Sequence, residues 1–145
     1  MKKLTAMLIL FAGLLTSSLH ATVYENDSGP YTGTSFSSNW VSLAGYNITT
    51  PVGGVYVSFD DSVIQVGRGS GNYTAKVTVF DYTSNTTYST TSVFLGGAGS
   101  NGHQNLFCPT PMNHYCNVTI WIQSGQSFSN SDYCKVTIKN IVISS

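Results

Sequence analysis

Apolar residues recur at every second position, with polar residues between them, in several segments of the chain. The longest run lies between residues 73 and 82, where Tyr73, Ala75, Val77 and Val79 share one face and mostly polar residues occupy the other. A period of two is typical of strands with one buried face. After residue 21 no window repeats apolar residues at the i, i+3, i+4, i+7 spacing of a helix. The pattern therefore predicts an all-β protein.

Clusters of Gly, Asn, Ser and Pro divide the alternating segments into about eight strands. A turn is expected at Asp60-Asp61 and a wide glycine loop at 96–102. Many short antiparallel strands at close spacing are typical of a sandwich or barrel. We expect an antiparallel β-sandwich, jelly-roll-like, forming a single domain over residues 22–145. The predicted strands cover residues 34–48 (one or two strands), 55–59, 62–66, 73–82, 87–95, 103–107, 116–123 and 133–143.

The first 21 residues have the order of a cleavable signal peptide: a basic start at Lys2 and Lys3, an apolar run over 4–15, and a polar stretch ending at Ala21. The apolar run is shorter than the roughly 20 residues of a membrane-spanning helix. We expect cleavage after Ala21 and secretion to the periplasm or the extracellular space. The alternative is an uncleaved N-terminal anchor. No span is expected in the mature chain.

The charge balance narrows the range of partners. Without residues 1–21 the chain keeps four basic and six acidic side chains, a net charge of −2. Only 8% of the full chain is charged, against roughly 25% in an ordinary globular domain. Such a surface has no basic face to neutralise phosphates. We therefore expect no nucleic-acid partner, and nothing in the sequence indicates a cofactor.

Three cysteines, Cys108, Cys116 and Cys134, would meet oxidising conditions after export. One disulfide and one free thiol is the expectation. If the strands at 116–123 and 133–143 form a hairpin, Cys134 lies roughly 20 Å from Cys116 along the strand, too far for a bridge. This favours a Cys108–Cys116 disulfide, with Cys116–Cys134 and Cys108–Cys134 as the alternatives.

Motifs for metal binding and catalysis are weak. Cys108, His114 and Cys116 lie close together as zinc ligands do, but no fourth ligand is near, and we predict no metal site. A serine hydrolase would be expected to have a Gly-x-Ser-x-Gly elbow, which the chain lacks. A small secreted hydrolase is the third interpretation, and it requires a pocket in which His103 or His114 reaches an aspartate.

Aromatic residues on polar strand faces are the most suggestive feature. They make up 12% of the chain, and aromatic rings with neighbouring amides and hydroxyls suit sugars, which have apolar faces and polar edges. Tyr and Trp are also simply good strand formers, and Trp40 is expected in the core. We predict a non-catalytic binding domain for an extracellular glycan or cell-surface ligand. The predicted ligand-binding residues are Trp121, Tyr82, Tyr56, Asp60 and Asn117.

A second interpretation is a protein-interaction or structural role, as in an envelope or adhesin-type protein. The segment 108–116 contains two prolines, and the expected disulfide would close it into a loop. Such bracing lowers the entropic cost of binding a partner. On this interpretation the loop presents Met112 to Tyr115 to a surface protein.

Overall fold

The structure is a computed structural model that describes residues 21–50, 53–128 and 131–145. Residues 1–20 of the predicted signal peptide lie outside the described residues, so export stays a prediction. The described residues contain ten strands and no helix. The strands are β1 Val23–Asp27, β2 Tyr31–Gly33, β3 Val41–Thr50, β4 Gly54–Val66, β5 Tyr73–Asp81, β6 Thr86–Ser89, β7 Val93–Gly96, β8 Asn101–Pro109, β9 His114–Ser124 and β10 Tyr133–Ser144.

The strands form two sheets. Sheet A has the order β1-β10-β4-β8, with β2 also paired to β10, and sheet B has the order β3-β9-β5-β6, with β7 also paired to β5. Every pairing is antiparallel. From β3 to β5 and again from β7 to β10, each successive strand crosses to the other sheet. This alternation is that of a jelly-roll sandwich, and the predicted fold is confirmed.

The core lies between the two sheets and is built by the alternation seen in the sequence. The inward residues of β5, Ala75, Val77 and Val79, are fully buried, as are those of β4 and β9. Tyr73 is also fully buried, and its hydroxyl donates a hydrogen bond to the carbonyl of Cys134 at 2.7 Å. This bond joins β5 of sheet B to β10 of sheet A across the core.

Three predicted boundaries were wrong. β4 runs without a break through Asp60 and Asp61, which pair with Lys139 and Ile138 of β10. The ladders with β10 on one side and β8 on the other outweigh the low strand propensity of aspartate. The predicted strand at 87–95 is two strands, β6 and β7. The glycine loop is shorter than expected, because β8 begins at Asn101.

The described residues contain no disulfide, so the predicted Cys108–Cys116 bridge is absent. The two cysteines lie on β8 and β9, which belong to different sheets, instead of closing a surface loop. The assumed hairpin of β9 with β10 is also absent, because these strands belong to different sheets. All three cysteines are fully buried. Burial raises the pKa of Cys108 to about 11 and also raises that of Cys116.

No helix in the described part of the chain is long and apolar enough to cross a membrane.

Candidate functional site

The outer face of sheet B presents an ordered set of side chains on its two central strands, β5 and β9. Outward residues of the two strands are direct cross-strand partners: Lys76 pairs with Trp121, and Thr78 pairs with Thr119. Side chains at such positions lie roughly 5 Å apart at Cβ. The alternation that buries the core residues therefore also assembles this outer surface.

A groove of about 430 Å³ lies over this surface, which we call the sheet B groove. Trp40, just before β3, and Tyr82, just after β5, contribute to its walls. The groove has an apolar aromatic lining with a few polar groups, which is the usual make-up of a small-molecule site. Its lining residues are Trp40, Lys76, Thr78, Phe80, Tyr82, Thr87, Asn117, Thr119 and Trp121.

Hydrogen bonds fix the floor of the groove. The indole Nε1 of Trp121 donates to Thr78 Oγ1 at 2.7 Å. Thr119 Oγ1 donates to Asn117 Oδ1 at 2.7 Å, and Asn117 Nδ2 donates to Asn47 Oδ1 at 3.0 Å. Each amide and hydroxyl keeps further donor or acceptor capacity after these bonds. The floor is therefore held in one arrangement and still has polar atoms for a ligand.

An aromatic row extends from the groove along the sheet. The rings of Phe80 and Tyr82 meet edge to face, with centroids 5.0 Å apart, and Tyr82 stacks on Tyr115 at 5.4 Å. Tyr82 is 52% exposed and Tyr115 is 50% exposed. Half-exposed, mutually packed rings present rigid apolar area to the solvent.

The structure divides the predicted ligand-binding residues between two surfaces. Trp121, Tyr82 and Asn117 come together in the sheet B groove. Tyr56 and Asp60 lie on β4, and their side chains are on the outer face of sheet A.

On that face, Tyr56 packs against Phe107, with ring centroids 4.9 Å apart. Asp60 contacts His103 Nδ1 at 2.8 Å and accepts a hydrogen bond from Asn140 Nδ2 at 2.7 Å. These hydrogen bonds, that of His103 foremost, lower the pKa of Asp60. Tyr56 and Asp60 are therefore separate from the groove.

Several groove residues were not among the predicted ones. Trp40 was expected in the core and instead lines the groove. Phe80 and Lys76 share the polar face that holds Tyr82, so the alternation could have identified them. Trp40 lies before the first residue of β3, where no alternation shows the direction of a side chain.

Both described histidines lie against an aspartate. His114 Nδ1 is 2.6 Å from Asp81 Oδ2, and the same oxygen accepts a hydrogen bond from Ser84 Oγ at 2.5 Å. Asp81 is fully buried. Burial alone would raise its pKa, but hydrogen bonds from Ser84, His114 and the Thr83 amide hold the pKa well below its usual range. The cluster anchors the end of β5.

The hydrolase interpretation required such a histidine–aspartate pair within a pocket. In a catalytic triad the second ring nitrogen of the histidine faces a nucleophile. Among the described residues, no hydroxyl or thiol hydrogen bonds to the second nitrogen of His103 or His114, and neither pair lines the groove. The zinc ligands considered from the sequence included His114, whose Nδ1 contacts Asp81 instead. Within the described ranges, no three His, Cys, Asp or Glu side chains lie close enough together to hold a metal ion.

The connection between β8 and β9 is short and tied down. Thr50 Oγ1 donates to the carbonyl of Pro111 at 2.7 Å, and the amide of Asn113 donates to the Thr50 carbonyl. Thr50 is fully buried, whereas Met112 is 59% exposed. The segment is therefore braced by the end of β3 and not by a disulfide.

No protein-family model and no curated protein matches the chain. Among solved structures, one match is a crystal structure of the CBM22-1–GH10 modules of the Clostridium thermocellum endo-1,4-β-D-xylanase 10B complexed with xylohexaose. The identity is 11% and the TM-score is 0.42. The match covers 86% of this chain and 29% of that chain, so this chain spans less than a third of its length.

Proposed function

We propose that the protein is a non-catalytic glycan-binding domain and that the sheet B groove holds the sugar. The observation that carries the proposal is that Trp40, Trp121, Phe80 and Tyr82 line a single groove together with amide and hydroxyl groups. Pyranose rings have apolar C–H faces that stack on aromatic rings, and their hydroxyls pair with amides and hydroxyls. The sheet B groove contains both the aromatic rings and the polar groups that such binding needs.

Two further features support this function. The hydrogen bonds of Trp121 and Asn117 hold the floor before any ligand arrives, and a pre-formed site lowers the ordering cost of binding. The predicted export signal in residues 1–21 would place the domain outside the cytoplasm, where polysaccharides are abundant.

Affinity electrophoresis of the full chain through gels containing soluble polysaccharides tests the proposal. At least one polysaccharide should retard the protein. Trp121→Ala should weaken that binding about tenfold or more, because buried aromatic anchors account for most of the affinity of a site.

Tyr56→Ala is the matched control, since Tyr56 is 45% exposed on the other sheet and Tyr82 is 52% exposed in the groove. We expect the Tyr56 variant to bind as the wild type does and Tyr82→Ala to bind more weakly. Equal loss in both variants, or no retardation by any polysaccharide, would contradict the proposal.

A further inference from the structure

The sheet B groove contains one charged side chain, Lys76. Among the described strands of sheet B, the single carboxylate is that of Asp81, which is fully buried and bonded to His114 and Ser84. The outer face of this sheet therefore presents a cation with no anion beside it.

Lys76 lies over one indole of the groove and is the cross-strand neighbour of the other. Its Nζ lies 4.2 Å from the centroid of the Trp40 ring, and its cross-strand partner is Trp121. The cation–π contact uses one side of the ammonium, which has three N–H donors. Within the described residues Lys76 has no ion pair, so these donors remain for a ligand.

The other two described lysines have different surroundings. Lys135 and Lys139 both lie on β10 of sheet A, and Lys139 pairs in register with Asp60. The Lys139 charge helps to lower the pKa of Asp60, whereas Lys135 pairs in register with Ile64. Lys76 is distinguished from both by its position in a concave aromatic site.

We infer that the groove binds an acidic sugar, one with a carboxylate or sulfate group, and that Lys76 pairs with this anion while an indole stacks on the ring. The inference rests on the proposed glycan-binding function and names its substrate class. A neutral sugar seated here would replace the water around the ammonium with hydroxyl acceptors that carry no charge. A carboxylate or sulfate would add a full charge–charge attraction to these hydrogen bonds, and that attraction is stronger near a protein surface than in bulk water.

The test measures the affinity of the full chain for hyaluronan, polygalacturonate and chondroitin sulfate. The first two are compared with their carboxyl-reduced counterparts, and the third with a counterpart that is both carboxyl-reduced and desulfated. At least one acidic polymer should bind about tenfold more tightly than its neutral counterpart. That binding should weaken as NaCl rises from about 0.05 M to about 0.5 M, because salt screens the ion pair.

Lys76→Met keeps most of the length of the side chain and removes its charge. It should weaken binding of the acidic polymer about tenfold and binding of the neutral counterpart much less, while Lys76→Arg should retain most of the affinity. Lys139→Met makes the same change of net charge on sheet A and should have no effect.

Two results would overturn the inference and leave the proposed function standing: neutral counterparts that bind as tightly as the acidic polymers, or a Lys76→Met variant that weakens both equally. The second result would mean that Lys76 merely supports Trp40. If the wild-type protein binds no polysaccharide of either kind, the proposed function itself fails.

Discussion

At the scale of single residues, Asp81 shows how a buried charge is kept in an apolar sandwich. Its carboxylate is fully buried and is surrounded by hydrogen-bond donors: the Ser84 hydroxyl, the His114 ring and the Thr83 amide. These donors lower its pKa despite burial. A buried carboxylate with this many partners stabilises the folded state only while it is ionised.

The free energy of unfolding should therefore fall at low pH as Asp81 becomes protonated. Because the folded-state pKa is lowered, its stabilisation is present above the unfolded-state pKa of roughly 3.9 and is lost as pH falls toward the folded-state value. Asp81→Asn should be less stable than the wild type at pH near 7 and should lose less stability on acidification. Urea midpoints measured across the acid range check this.

Asp60→Asn is the control, because its partly exposed pair with His103 is screened by water and contributes less. Parallel acid dependences for the wild type and Asp81→Asn would contradict the assigned role of Asp81.

At the scale of elements, the alternation identified β5, β9 and β10 to within two residues of their ends, but it divided β4 in two at Asp60-Asp61. β1 and β2 were missed because both are short and pair with β10 alone. Alternation separates inward from outward side chains, but it does not show which of two sheets a strand joins. Tyr56 and Trp121 were therefore grouped together although they lie on opposite faces of the molecule.

The sequence pattern did not predict a β-bulge in β10. The register with β4 shifts between Lys139 and Val142, and Asn140 has φ of 52°. The extra residue changes which positions of β10 face the core, from even-numbered before the bulge to odd-numbered after it. Ile138 and Ile141 are therefore both fully buried. Asparagine tolerates this left-handed conformation better than other residues with a side chain.

Substitutions at Asn140 should separate backbone strain from the loss of its side chain. Asn140→Val should destabilise the protein by about 1–3 kcal/mol, because a β-branched residue is strained at positive φ. Asn140→Gly loses the hydrogen bond to Asp60 but tolerates the conformation, and should cost less. Chemical denaturation measures both. A glycine variant less stable than the valine variant would contradict this explanation.

At the scale of the whole molecule, a largely apolar core separates two different outer faces. Sheet A carries the Tyr56–Phe107 pair and the Asp60–His103 pair, and sheet B carries the groove. The core also holds the three thiols, all fully buried. Because all three thiols are buried away from reagents in the solvent, they should be protected in the native protein. At Cys108 burial also raises the pKa to about 11, which leaves little of the reactive thiolate.

Iodoacetamide labelling followed by mass spectrometry tests this state of the cysteines. The native protein near pH 8 should take up label slowly at Cys108, Cys116 and Cys134. The protein unfolded in denaturant without reductant should take up three labels. A single label under those conditions would show that two of the cysteines form a disulfide, contrary to the structure.

The proposed glycan would lie in the groove that Trp40 and Trp121 both line. These are the two tryptophans of the chain, so intrinsic tryptophan fluorescence reports on the groove alone. Titration with a polysaccharide that retards the protein in affinity electrophoresis should change the emission saturably and protect it from acrylamide quenching. Unchanged emission and unchanged quenching at saturating polysaccharide would place the sugar elsewhere and contradict the claim.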